Sequence, residues 1–209
     1  MEEDVYKTII DESEGFYKDK GSKFICHAIP VKTEEEVKEH LDVLRKKYYD
    51  ARHHCYAYRL GEYMDKFRAN DDGEPSGTAG KPILGQIQSF ELTNILIVVI
   101  RYFGGTKLGV SGLITAYKAA TKDALEQANC KEFTIDDEYL LTFEYPILNQ
   151  VMRVFKEEDI DRLEQDFQLD CKIKFKVRKK DSNKLYKRFK KIHQVQIKNL
   201  LEEENEQNH

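Results

Sequence analysis

The amino-acid sequence predicts an α+β protein of two domains, residues 1–135 and 136–209. Three observations carry that prediction. The 209 residues are long for one small domain and sufficient for two, each with its own core. The first half alternates strand-like and helix-like segments around a wholly apolar run at 95–100. Beyond the acidic step Asp136-Asp137-Glu138 a simpler rhythm begins, strand, helix, two strands, helix, strand, and this βαββαβ order suggests a ferredoxin-like domain.

Taken in order, residues 5–10 and 23–31 are rich in β-formers, and the turn-forming stretch around Gly15 and Gly21 between them makes a hairpin the simplest opening. Thr33 followed by Glu36 is a capping-box pattern, and Val37, Leu41, Leu44 and Tyr48 then share one helical face, ending near Asp50. Strands are expected at 54–60 and 67–70. Pro82 suits the first turn of a helix carrying Ile83, Leu84 and Ile87, and the run 95–100 reads as the strand at the sheet's centre. After Gly104-Gly105, Leu113, Ala116, Ala120 and Ala124 form a narrow stripe for close packing on a sheet, in a helix ending near Asn129.

In the second domain, strands are expected at 139–145 and 160–167, with a helix at 146–156 between them. Cys171, Ile173, Phe175 and Val177 alternate with Lys172, Lys174 and Lys176, as in a half-buried strand with one apolar and one basic face. Leu185, Phe189 and Ile192 belong to a last helix, and Val195 with Ile197 to a last strand. The acidic tail from Glu202 is expected to fray.

Composition narrows the function classes. With 40% hydrophobic and 34% charged residues the chain is expected to be globular and self-folding. The longest apolar run falls far short of the roughly 20 residues that span a bilayer, and the acidic start is unlike a signal peptide, so the expectation is a cytoplasmic protein without membrane attachment. Cys26, Cys55, Cys130 and Cys171 are scattered and form no C-x-x-C pair, which suggests reduced thiols and neither a disulfide framework nor a cysteine zinc site. The net charge of −4 argues against capture of nucleic acid by the chain as a whole but leaves room for a local patch.

Four stretches bear on chemistry. In Asp50-Ala51-Arg52-His53-His54-Cys55, adjacent histidines beside a thiol invite a metal or Cys-His reading. Neighbours on a strand point to opposite faces, however, so one buried and one surface histidine is the better reading, and no metal site is assigned. The segment Asp71-Asp72-Gly73-Glu74-Pro75-Ser76-Gly77-Thr78-Ala79-Gly80 admits two readings equally. Its acids hold a cation or a ligand, or Asp71, Asp72 and Ser76 satisfy backbone amides while Gly77 and Gly80 adopt left-handed conformations. It lacks the Gly-Lys-Ser/Thr of a P-loop. In the segment from Arg101 to Leu113, glycines between a strand and a helix start offer an anion site flanked by Arg101 and Lys107, or simply close packing; a nicotinamide fingerprint is not matched, and no cofactor is expected. Finally, residues 172–191 carry eleven Lys or Arg and one acid, Asp181, either a phosphate-binding face or a solvated one.

Together, D-A-R-H-H-C, D-D-G-E-P-S-G-T-A-G-x-P and V-V-I-R-Y-F-G-G-x-K-L-G closely resemble the motifs of the YigZ/IMPACT family, in order and at similar separations, over most of residues 20–128. The resemblance implies a complete, bacterial-type member: an N-terminal ribosomal protein S5 domain 2-like domain before the ferredoxin-like one, an arrangement similar to the last two domains of the translocation elongation factor. Eukaryotic relatives restrain the starvation-responsive kinase of translation initiation and carry an additional RWD domain. Ser111 stands where the family usually has glycine.

The expectation is a non-enzymatic, translation-associated regulator that binds RNA, the ribosome or a translation factor. Its partner surface comprises Arg52, His53, His54, Asp71, Asp72, Glu74, Ser76, Thr78, Arg101, Tyr102, Gly104, Gly105 and Lys107, with Lys172, Lys174, Lys176, Lys184, Lys187 and Arg188 binding nucleic acid. The alternatives are a metal-assisted hydrolase or phosphate-handling enzyme, with the three acids around a cation and His54, Arg101 and Lys107 near the substrate, and a purely protein-binding regulator.

Overall fold

The computed structural model describes residues 4–160, 162–167 and 170–201, a mixed α/β chain with three sheets. It divides into two compact units, one of residues 6–133 and one that joins residues 4–5 to the chain from 134 onward.

The first unit is built on a five-stranded antiparallel sheet of β2 (Ser13–Asp19), β3 (Ser22–Pro30), β6 (Ile95–Tyr102), β4 (His53–Leu60) and β5 (Lys66–Asn70), in that spatial order. The apolar run 95–100 does lie at the centre, where every one of its residues is fully buried. The opening differs from the expected hairpin. β3 pairs with β2, a polar segment that local pattern reads as a turn, while β1 (Val5–Ile9) pairs with β7 (Cys130–Thr134). Lys20 and Gly21 make the two-residue connection with φ of 44° and 80°, and such left-handed pairs match the twist of the strands they join. Gly15 sits inside β2 for a steric reason: a Cβ there would lie 2.3 Å from the Ala124 amide nitrogen of α3 (Gly109–Gln127).

Each face of this sheet has its own core. Helix α1 (Glu34–Lys47) covers one, burying Val37, Leu41 and Leu44 against Ile29, Tyr56, Tyr58, Leu96, Val98 and Ile100. The Thr33 hydroxyl accepts from the Glu36 amide at 3.2 Å, and Glu36 accepts from the Lys32 amide at 2.6 Å, so the expected capping signal works at this helix start. Helices α2 (Gly80–Ser89) and α3 cover the other face, and the expected stripe of Ala116, Ala120 and Ala124 is fully buried there.

The second unit runs β8 (Asp136–Glu144), a 3-10 turn (Tyr145–Ile147), α4 (Leu148–Glu158), β9 (Arg162–Phe167), β10 (Asp170–Arg178), α5 (Lys179–Lys190) and β11 (Gln196–Asn199). Its four-stranded sheet has the order β11, β8, β10, β9 and is antiparallel throughout. The alternation in β10 is realised: Cys171, Ile173, Phe175 and Val177 are buried with Val151 and Phe155 of α4 and Leu185 and Phe189 of α5. The acidic step at 136–138 opens β8, and Asp137 is buried, paired with Lys179 at 2.9 Å and accepting from Ser182. The acidic tail lies outside the described residues.

Candidate functional site

The three motif segments of the first unit meet at the end of the sheet where β4 begins and β6 ends. Pairing of β4 with β6 sets His53 directly opposite Arg101. The link to the 71–80 loop is an ion pair, Arg101 Nη1 to Glu74 Oε1 at 2.6 Å, with side chains only 7% and 4% exposed. Tyr117 of α3 donates to the same Glu74 oxygen at 2.8 Å. The Arg101 guanidinium also lies over the rings of Phe24 and Phe103, at 5.5 and 5.7 Å.

Each acid of the loop is engaged by a different protein donor. Asp71 accepts from the backbone amides of Gly77, Ala79 and Gly80 at 2.8, 3.0 and 2.8 Å. Burial works against its ionisation, but those amides outweigh burial and hold its carboxyl below the usual range. Asp72 accepts from the His54 amide at 2.6 Å, and its own carbonyl lies 2.8 Å from His53 Nδ1. Thr78 donates to the Pro75 carbonyl at 2.6 Å. The turn reading of this loop is therefore largely realised, with two differences. Ser76 is exposed rather than capping, and the left-handed positions are Asp72, Gly73 and Gly77, whereas Gly80 is selected because a Cβ would meet the Asn70 backbone at 2.5 Å.

His53 is half-buried and His54 buried, and they face opposite sides of the strand as expected. Burial lowers the His54 pKa, against the opposing charge of Asp72, whose Oδ2 is 3.9 Å from Nδ1. The Cys55 thiol lies 2.9 Å from the Asp71 carbonyl and 3.2 Å from the Tyr117 hydroxyl, and burial pushes its pKa far up, the reverse of what a nucleophile needs. Among the described residues no group of three or more His, Cys, Asp or Glu is placed to hold a metal ion.

The Gly-Gly segment packs on the β2–β3 turn. A Cβ on Gly104 would lie 1.9 Å from the Gly21 carbonyl carbon, and the Gly104 amide donates to Ser22 Oγ at 3.1 Å. Phe103, Gly104, Gly105, Thr106 and Lys107 are exposed beyond it, as is Arg52, while Tyr102 donates to Asp50 at 2.7 Å. Sequence reasoning missed Tyr117 and the strand β2 that runs through Gly15 to the turn at Gly21; Tyr117 is 43 residues from Glu74, and no local pattern connects them.

The structure does not gather the basic residues of the second unit into one patch. Lys172, Lys174 and Lys176 project from the sheet face opposite the core, whereas α5, bearing Lys184, Lys187 and Arg188, packs on the core side. Register sets Lys172 opposite Asp166 and Lys174 opposite Glu164, and Lys174 and Lys176 both pair with Glu138. Lys184 pairs with Glu158, and Arg188 with Glu157 and Glu158.

Residues 20–125 match the family model of the Impact N-terminal domain. IMPACT family member YvyE of Bacillus subtilis is 34% identical over 178 residues, covering 85% of this chain and 82% of that protein. IMPACT family member YigZ of Escherichia coli is 36% identical over 151 residues, 71% and 74% of the two chains. A crystal structure of a hypothetical protein, 29% identical, superposes with a TM-score of 0.68 over 93% of this chain and 96% of that one.

Proposed function

The chain belongs to the IMPACT family, and from that premise we propose that it is a non-enzymatic, translation-associated regulator that works in the cytoplasm by binding RNA, the ribosome or a translation factor. The observation that carries this reading is the buried Arg101–Glu74 pair with Tyr117. It spends the loop's charged groups on holding two segments rigid and leaves Arg52, Ser76, Gly104, Gly105 and Lys107 outward, with His53 and Tyr102 half-buried beside them. A preorganised surface of that kind suits recognition. His54, Asp71, Asp72, Glu74, Thr78 and Arg101 act in this proposal as its supports.

The domain assignment is part of the same reading: an S5 domain 2-like domain over 1–135 and a ferredoxin-like domain over 136–209. The antiparallel five-stranded sheet and the βαββαβ order of the second unit support it. The basic residues of the second unit enter as a lesser electrostatic contribution. Lys172 and Lys187 are the two of the six without an ion pair among the described residues.

Co-sedimentation of the intact chain with ribosomes across a salt series tests the proposal, with nuclease-treated extract as the companion measurement. Association at low salt is expected, falling at least tenfold, about 1.4 kcal/mol, in Arg52→Glu/Lys107→Glu. Absence of any association, in ribosomes and in extract alike, or indifference to that double variant, overturns it.

A further inference from the structure

At the sheet end where β2 and β3 turn, Phe16, Lys18 and Lys23 are exposed, beyond the residues that α1 buries. Across β2, β3 and β6, Lys18 stands directly opposite Lys23, and Lys23 directly opposite Tyr102. Both lysines are exposed, and among the described residues neither enters an ion pair. Like charges directly opposite each other destabilise a sheet, so this pair works against the fold that carries it. Of the nearby acids, Glu14 pairs with His27 at 3.2 Å and Asp50 accepts from the Tyr102 hydroxyl at the margin of this surface. One row along the same face, Phe16 is 52% exposed opposite Ile25. Between Lys23, Ile25, Tyr102, Phe103 and Gly21 lies an open cleft of about 320 Å³. Phe103, 57% exposed, has the Arg101 guanidinium against its ring, which fixes it from behind.

Unpaired cations beside exposed aromatic rings on an open sheet are the combination that single-stranded nucleic acid requires, phosphates for the lysines and bases for the rings. An acidic peptide would also use the lysines, but rings placed beside two neighbouring cations suit the alternation of phosphate and planar base along a strand. We infer that this sheet end binds single-stranded RNA, with Lys18 and Lys23 on successive phosphates and Phe16, Tyr102 and Phe103 stacking bases. The inference rests on the RNA arm of the function proposed above and gives it a location that the motif residues alone do not.

Fluorescence anisotropy of the intact chain with a labelled single-stranded oligouridylate, across a salt series, tests it. Lys18→Gln/Lys23→Gln is expected to weaken binding and to lower the slope of log affinity against log salt by about 1.4, at roughly 0.7 for each phosphate contact on a single strand. Phe16→Ala/Phe103→Ala is expected to weaken binding about tenfold with the salt slope kept. Lys38→Gln, on the exposed face of α1, leaves both unchanged. Relief of the like-charge pair keeps the Tm of Lys18→Gln/Lys23→Gln at or above that of the parent, which separates lost binding from lost folding. No binding at low salt, or unaltered affinity in both double variants, overturns the inference. Ribosome sedimentation of the same variants keeps the two proposals apart: undiminished association alongside an unbound oligonucleotide sinks this site and leaves the broader function standing.

Discussion

Glu74 is an acid in a loop dense with acids, yet it alone is buried against a cation, and that sets what a substitution does there. Glu74→Gln preserves an acceptor for Tyr117 but leaves the Arg101 charge in a site 7% exposed without its counter-ion. Breaking a buried pair from one side typically costs about 3–5 kcal/mol. Urea unfolding of Glu74→Gln is expected to show a loss in that range, and Glu74→Gln/Arg101→Met a smaller one, since the second change removes the stranded charge. At Gly104 the constraint is space. Alanine there sets a methyl 1.9 Å from the Gly21 carbonyl carbon, and the displacement of the β2–β3 turn is expected to cost about 1–3 kcal/mol by the same measurement. Thiol chemistry reads the same packing. Cys26, Cys55 and Cys171 are buried and Cys130 only partly so, and iodoacetamide is expected to label Cys130 first in the native protein.

At the scale of the element, α1 has the most readable start and the least readable end. Thr33 and Glu36 announce the N-terminus within four residues of sequence. Nothing local announces that Tyr48, past the C-terminus, rests on two histidines of the sheet: His27 Nε2 is 3.0 Å from its hydroxyl, and its carbonyl lies beside His54. Burial lowers both histidine pKa values. Glu14 and Glu12 oppose that at His27 and Lys47 reinforces it; at His54, Asp72 opposes it while Arg45 and His53 reinforce it. The unfolded chain therefore takes up these protons more readily than the folded one. Stability is level above about pH 6.5, the ordinary histidine value, and falls as pH drops below it toward the depressed folded values. A urea midpoint that declines from pH 7 to pH 5, less steeply in His27→Gln and His54→Gln, is the expected result. The same division between local and remote signals explains what the sequence discloses. The central strand, the alternation of β10 and the small-residue stripe of α3 are each written in one segment. The β2–β3 pairing is not, because Gly15 and the polar residues of β2 answer to the backbone of α3, more than a hundred residues away. The apparent basic patch of 172–191 dissolves for a related reason: its acids arrive from β8, β9 and α4 through register and packing.

For the whole molecule, the decisive fact is that the buried clusters divide between two units: those on the two faces of the five-stranded sheet share its strands, and the one around β10 lies in the other unit. A cooperative unit is a body of structure joined by its own packing, so two units predict two unfolding transitions in calorimetry of the intact chain. Charge substitutions identify them. Glu74→Gln strands Arg101 within the first core and is expected to lower one transition only. Lys174→Glu sets a new carboxylate beside Glu138, its present partner at 2.5 Å, and opposite Glu164, and each like-charged cross-strand pair costs roughly 0.2–1 kcal/mol. That substitution is expected to lower the other transition alone. A single transition moved by both variants refutes the division. Two transitions, each answering to one variant, also assign any binding defect to its unit: a Lys174→Glu protein that loses ribosome association at temperatures well below its lowered transition points to a contact made by β10, and one that keeps association favours the first unit, where the exposed loops, Lys18 and Lys23 lie.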